Sequence, residues 1–254
     1  MKVKETARVL SQTKLAEGVY SMVLSTRASE SALPGQFINI FCNNKGNLLP
    51  RPISICEIDK AAGTLRVVFR VVGEGTKEFS SLKAEDTVEI LGPLGNGFPL
   101  ETGTAIVVGG GIGVPPMLEL TKQLSGEVTA VMGYRNDDLF LADEFIDAAN
   151  ELIVATDDGS VGVQGTVVDA MKENNLTADV IYACGPKPML KGVAAYADQK
   201  GIKCYVSMEE RMACGVGACL GCVCQSTAVD DHSHVNNKRV CKDGPVFLST
   251  EVVL

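Results

Sequence analysis

From its start to about residue 100 the chain is written in short, β-branched apolar runs cut by Gly, Pro, Asn and Asp. Residues 7–14, 19–26, 36–42, 52–59, 64–72 and 87–91 each read as a strand between turn residues. Their regular spacing predicts a small antiparallel β-barrel, with 77–82 as a short helix. Residues 92–99, Gly-Pro-Leu-Gly-Asn-Gly-Phe-Pro, break every regular pattern and mark a domain boundary. Beyond it the period changes. Strands at 105–108, 128–133, 152–155, 180–184 and 203–207 alternate with helices at 114–124, 142–149, 166–174 and 187–200. That alternation predicts a doubly wound parallel sheet, which takes ligands beyond the carboxyl ends of its strands. The remainder, 208–254, is too short and too Cys-rich for an ordinary core, and a metal centre is expected to staple it. The expected organisation is therefore a multidomain α+β and α/β chain: barrel 1–99, α/β domain 100–207 and a small cluster segment 208–254.

Composition narrows the possible functions. With 254 residues, 46% of them apolar, the chain is long enough for two domains and an appendage. A net charge of −8 argues against nucleic acid as a partner, because phosphate binding needs a basic face. The start of the chain is charged and lacks an apolar stretch, and no apolar run reaches membrane-spanning length, so a cytoplasmic protein without membrane contact is expected. In such a compartment nine cysteines read as metal or redox chemistry rather than cross-links.

The densest chemistry lies in Glu210-Arg-Met-Ala-Cys-Gly-Val-Gly-Ala-Cys-Leu-Gly-Cys-Val-Cys224. Cys214, Cys219 and Cys222 form a C-x4-C-x2-C run, and Cys241 supplies a distant fourth thiol. This is the ligand spacing of a plant-type [2Fe-2S] cluster, and soft thiolates suit iron and sulfide. Gly215, Gly217 and Gly221 fall between the ligands, where a loop wrapped round a cluster needs positive φ and amides aimed at sulfur. A structural zinc site is the competing reading, but it would ordinarily show a second C-x-x-C pair. Spacing alone does not separate Cys224 from the ligands; by default it reads as a small buried residue. His232 and His234 would suit a Rieske centre, but four Cys make that unnecessary, and a solvated loop is expected for both. The 223–240 insertion makes Cys241 the least obvious of the four ligands.

Elsewhere, Gly109-Gly-Gly-Ile-Gly-Val-Pro-Pro-Met117 follows the first α/β strand and opens a helix. Gly110, Gly111 and Gly113 would let the backbone approach a pyrophosphate at a helix N-terminus, and Pro in the first turn removes no needed donor. Pro116 takes the third-glycine position, so this is not the standard dinucleotide fingerprint. Cys184-Gly-Pro closes the fourth strand at the same sheet edge, where the sulfur would face the crevice. Asp157 and Asp158 would offer ribose acceptors, form a turn or cap the helix at 166. In the barrel, Arg51-Pro-Ile-Ser54 leads a strand and Arg70-Val-Val-Gly-Glu-Gly-Thr76 ends one; Arg suits bidentate phosphate binding. No Gly-x-Ser-x-Gly elbow and no obvious carboxylate pair is present, so the chemistry belongs to cofactors.

Barrel, Arg-Pro-x-Ser, glycine-rich turn and Cys-Gly-Pro, in that order, resemble the ferredoxin reductase superfamily. With the appended Glu-Arg-Met-x-Cys-Gly-x-Gly-x-Cys-x-Gly-Cys loop, the whole chain resembles the electron transfer subunits of the NAD-dependent (B-type) dihydroorotate dehydrogenases. The resemblance implies FAD held by Arg51, Pro52, Ile53, Ser54, Val68, Phe69, Arg70, Gly75 and Thr76. It implies a [2Fe-2S] cluster on Cys214, Cys219, Cys222 and Cys241, and NAD in the α/β domain with Cys184 near the nicotinamide; Glu209 or Glu210 would help to position it or simply form a surface salt bridge. It also implies a partner, an FMN-containing dihydroorotate-oxidising catalytic subunit, in a heterotetramer with two copies of each chain. Ile53 stands where many of the superfamily place a flavin-stacking Tyr. A related plan, the flavin and iron–sulfur subunit of NADH-dependent ferredoxin:NADP or sulfide-type oxidoreductases, is the alternative. Those relatives often replace one cluster Cys by Asp.

Overall fold

The computed structural model describes residues 2–44, 46–229 and 234–254. Strands β1 (Val3–Ala16), β2 (Val19–Ser25), β3 (Phe37–Ile40), β4 (Arg51–Asp59), β5 (Thr64–Arg70) and β6 (Thr87–Leu94) close into a barrel in the order β1-β2-β5-β4-β3-β6. Every neighbouring pair in it is antiparallel. Closure leaves no free edge, and alternate apolar side chains such as Val9, Met22, Leu24, Ile38, Ile55 and Val67 fill the interior. Helix α1 (Glu74–Phe79) begins three residues earlier than the sequence pattern suggests, because Gly73 starts it and Phe79 is buried beside Phe69.

The second unit is a sheet of β7 (Ala105–Gly110), β8 (Val128–Tyr134), β9 (Glu151–Thr156), β10 (Val163–Gln164), β11 (Val180–Cys184) and β12 (Lys203–Ser207). Its order is β10-β9-β8-β7-β11-β12, all parallel. Helices α2 (Pro115–Gln123), α3 (Ala142–Ala148), α4 (Val167–Glu173) and α5 (Lys187–Lys200) cover it. Helix α4 is started by a reciprocal cap between Thr166 and Asp169, so Asp157 and Asp158 are not its caps. Asp158 instead turns back onto Ser160. The strand order reverses between β7 and β11, which opens the crevice of a doubly wound sheet there.

The last segment contains a hairpin of β13 (Val223–Gln225) and β14 (Asn237–Arg239), and β15 (Val246–Leu248), which adds an antiparallel edge to β12. Its buried side chains Cys222, Cys224, Val240, Cys241 and Phe247 pack in one cluster with Ile106, Val206 and the barrel's Phe37 and Leu94. The segment therefore completes a core shared with both other units.

Candidate functional site: two joined clefts and a thiol cluster

Two clefts meet where the barrel faces the switch point. The smaller, about 610 Å³, is lined by Gly110, Gly111, Gly113, Arg135, Asp157 and Thr166 among others. Gly111 has φ +55 and faces open space, while a Cβ on Gly113 would collide with the Cys184 carbonyl. Only glycine gives this turn both its left-handed backbone and its close approach to β11. Pro115 and Pro116 then open α2, where the absence of their N–H groups costs no helical bond, and the Met117 amide donates to Val114 O at 3.1 Å. Asp157 and Arg135 face this cleft from the ends of β9 and β8.

The larger cleft, about 930 Å³, is lined by Arg51–Ser54 of β4, Val68–Arg70 of β5, Thr76, and Met208–Met212 of the segment leading to the thiols. Arg70, Ile112, Gly113, Gly185 and Glu209 line both clefts, so the two are continuous. Among the described residues the Arg70 side chain has no hydrogen bond or ion pair, which leaves a free guanidinium at the junction. Arg51 is tied down by Leu49 O and by Asn47 Oδ1 at 3.3 Å, and it lies over Gly75, where any Cβ would collide with it. Gly75 itself is not part of the lining; it makes room for Arg51. The Thr76 hydroxyl accepts from Val72 N at 2.9 Å and Gly73 N at 3.2 Å, so it serves the turn into α1. The Phe69 ring packs between Tyr20 and Phe79 in the barrel interior. Ile53, Leu48, Leu49, Met208 and Met212 give the larger cleft an aliphatic and thioether lining that a flat ring system fits.

Cys184 lines the larger cleft, opposite Ser207 in the strand register. Burial pushes its thiol up to about 12, contact with Ser207 works the other way, and the Glu209 charge adds to the rise. Cys184 is thus a neutral thiol at the mouth between the clefts. Glu210 is not in the crevice as a free acid, because it pairs with Lys187 at 2.5 Å. That pair ties the start of α5 to the thiol-bearing segment.

The four spaced cysteines come together although a long insertion separates the last of them. The β13–β14 hairpin pairs the two ends of the insertion, Val223 opposite Arg239 and Gln225 opposite Asn237. Val240 N then donates to Cys222 O at 2.9 Å, and Cys241 N lies 3.4 Å from Cys222 Sγ. Cys214 lies beside Cys219, and Cys241 beside Cys222. Among the described residues no three His, Cys, Asp or Glu converge as a single ion would require. Val216 N and Ala218 N donate to Cys214 Sγ at 3.4 and 3.3 Å, Gly217 N to Cys241 Sγ at 3.1 Å and Gly221 N to Cys219 Sγ at 3.4 Å. Burial alone would raise the Cys214 thiol; the Val216 and Ala218 amides, with the amide and thiol of Cys219, outweigh it and lower it to about 6. Two thiol pairs under backbone donors suit a two-iron cluster better than one tetrahedral zinc. Positive φ at Gly215 and Gly217 produces the wrap. Cys224 is buried in the shared core. His234 is exposed, and His232 lies outside the described residues.

The sequence pattern did not single out Asn39 and Asn96, two barrel residues that bond the thiol-bearing segment, nor Ser207 and Lys187. Each acts through a partner far along the chain.

A family model described as "Iron-sulfur cluster binding domain of dihydroorotate dehydrogenase B" matches residues 209–253. Another, "Oxidoreductase FAD-binding domain", matches 6–98. The electron transfer subunit of dihydroorotate dehydrogenase B (NAD(+)) from Bacillus caldolyticus is 44% identical over 260 residues, 99% of each chain. The chain belongs to this family. The Listeria innocua member is 45% identical over 255 residues, 97% of this chain and 98% of its own. Among solved structures, an NADH-dependent reduced ferredoxin-NADP oxidoreductase, studied for flavin-based electron bifurcation, is 32% identical, with a TM-score of 0.87 over 97% of this chain and 89% of its own. The family's two cofactor-binding domains are thus both present, and the chain is a flavin and iron–sulfur oxidoreductase subunit. Among the described residues no helix is long and apolar enough to cross a membrane.

Proposed function

We propose that this chain is the NAD-facing electron transfer subunit of a cytoplasmic dihydroorotate dehydrogenase. In this reading it receives electrons from the FMN of a separate catalytic subunit and delivers them through a [2Fe-2S] cluster and FAD to NAD+, in pyrimidine biosynthesis. The observation that carries the proposal is the continuity of the two clefts with each other and with the thiol-bearing segment that walls the larger one. A cluster exchanges electrons singly, nicotinamide exchanges hydride and flavin does both, so the three together match one-electron delivery to NAD+.

The chain's own residues do the holding. Arg51 and Arg70 supply cations for a pyrophosphate in the larger cleft, and Pro52, Ile53, Ser54, Val68, Phe69 and Thr76 wall it, with Gly75 admitting Arg51. The backbone of Gly110, Gly111 and Gly113 gives a second pyrophosphate a close approach in the smaller cleft. Cys184, kept as a thiol, presents a small uncharged side chain where the clefts meet, so the flavin and nicotinamide rings approach without a competing anion. The amide donors on Cys214, Cys219 and Cys241 stabilise thiolate charge, and Cys222 completes the ligand set. Cys219 is exposed, and so are its apolar neighbours Val216, Leu220 and Val223. That rim supports docking of the FMN-bearing partner at the thiol-bearing face, in a heterotetramer with two copies of each chain.

The likeness to the ferredoxin-NADP oxidoreductase favours a second reading, a subunit of an NADH-dependent ferredoxin:NADP enzyme. Higher identity to the dihydroorotate family and four Cys at the ligand positions support the first. Co-purification from the native cell, followed by FMN analysis and a dihydroorotate:NAD+ assay, decides between them. An FMN-bearing partner with orotate formation is expected. NADPH- or ferredoxin-linked activity without that partner would move the chain to the second reading.

A further inference from the structure

Asn39 sits on β3 with only 1% of its surface exposed, on the barrel strand that pairs with the cleft-lining β4. Its Nδ2 donates to the carbonyl of Cys214 at 3.2 Å, across 175 residues of sequence. Its Oδ1 is buried without a partner. A buried amide that leaves one atom unpaired is costly where an apolar side chain would avoid the loss, so the bond it does make is the reason to keep it. The thiol loop presses directly on this amide. Gly215 has φ +69, and a Cβ there would collide with Asn39.

A second contact meets the other arm of the loop. Asn96, in the turn after β6, donates its backbone N–H to Gly244 O at 2.7 Å and its Nδ2 to Asp243 O at 2.9 Å and Lys242 O at 3.2 Å. Gly95 beside it leaves no room for a side chain, since a Cβ would lie 2.5 Å from Pro245 Cδ. Gln36 in turn holds the Gly95 carbonyl at 2.7 Å. One contact therefore falls on the residue that begins the Cys214–Cys219 pair. The other falls just beyond Cys241, of the Cys222–Cys241 pair.

We propose that Asn39 and Asn96 are positioning residues by which the FAD-binding barrel itself grips both arms of the cluster loop, fixing where the cluster sits relative to the flavin. This rests on the electron-transfer reading above. Both contacts are neutral amide donors on backbone carbonyls, so they hold the loop without placing a fixed charge beside the thiolates. The barrel contacts thus act alongside the anchoring of the segment on the nucleotide sheet by β15 and by the Glu210–Lys187 pair.

The test compares purified holoprotein of wild type, Asn39→Leu and Asn96→Ala under anaerobic conditions. Iron and flavin content, the electron paramagnetic resonance and visible circular dichroism of the NADH-reduced cluster, and the rates of flavin and cluster bleaching by NADH are measured. Asn39→Leu keeps side-chain size but loses the donor; Asn96 is exposed, so Asn96→Ala keeps the fold. In both variants the expected result is flavin content as in wild type, a shifted cluster signature, and cluster bleaching slowed about tenfold relative to flavin bleaching, the lower end of effects for groups that orient metal ligands. A wild-type signature and bleaching ratio in either variant would overturn the grip alone. Wild-type protein lacking flavin or iron, or with a cluster that NADH does not bleach, would overturn the functional reading and the grip with it.

Discussion

The barrel meets its two neighbours with different chemistry. Against the nucleotide sheet the joint is ionic. Arg66 of β5, with 17% of its side chain exposed, pairs with Glu57 of β4 at 2.6 Å and with Glu144 of α3 at 3.3 Å. Lys122 of α2 also pairs with Glu57. Glu119 of α2 accepts the Ile58 amide of β4 at 2.7 Å. Against the thiol-bearing segment the joint is neutral, with the Asn39 and Asn96 side-chain amides on backbone carbonyls. A cation there would compete for the thiolates and a carboxylate would repel them, whereas an amide does neither. The consequence is that acid and salt should act more strongly on the first joint, the nearest ion pair to the second being Arg239–Asp243 inside the thiol-bearing segment.

The largest effect is expected from Arg66→Ala, which leaves Glu144 without its partner and Glu57 with Lys122 alone. Urea unfolding should show a loss of about 3 kcal/mol, the lower end for breaking such a pair, with the cluster's circular dichroism unchanged. A changed cluster spectrum would show that the joints are not independent.

Gly215→Ala should follow, costing about 1–3 kcal/mol for a side chain at positive φ. Its added Cβ presses on Asn39. This variant should lower iron content while leaving flavin content as in wild type, the converse of Arg66→Ala.

The response to pH separates the joints without mutation. Burial raises the Glu57 carboxyl, but Lys122 and Arg66 outweigh that and hold it below the ordinary carboxylate value. A depressed carboxylate contributes stability that is present above its unfolded pKa and lost as pH falls through the folded value. Urea midpoints should therefore stay level between about pH 8 and 5 from this source and decline below about pH 4. In Glu57→Gln the decline should be shallower.

The smallest change, Thr166→Ala, removes the α4 cap, touches neither joint and should cost about 1 kcal/mol. A larger loss would mean that the smaller cleft depends on that cap for more than helix stability.

Much of this architecture was readable because its signals are local. Turn residues bounded the barrel strands, the change of period revealed the α/β sheet, and Cys and Gly spacing marked the cluster loop. Strands β10, β13, β14 and β15 were not readable, since two or three residues carry no period. The shared core escaped notice because Cys222 and Cys241 look like chemistry in sequence yet also pack in it, whereas Cys224 is the small buried residue its position suggests. Gly75 and Thr76 were found for the right place in the chain, but their atoms serve Arg51 and the α1 turn. Asn39 and Asn96 carry no local signal: only folding places them against residues 214 and 242–244.

The central claim is that single electrons cross the thiol-bearing loop on their way to NAD+. The most direct measurement puts wild type and Cys214→Ser side by side with the FMN-bearing partner, recording NADH-to-dye activity and dihydroorotate-to-NAD+ transfer. The account predicts that the variant keeps the first, which needs only the flavin and nucleotide clefts, and loses the second. Dihydroorotate-to-NAD+ transfer surviving at the wild-type rate in a variant without its cluster would contradict it.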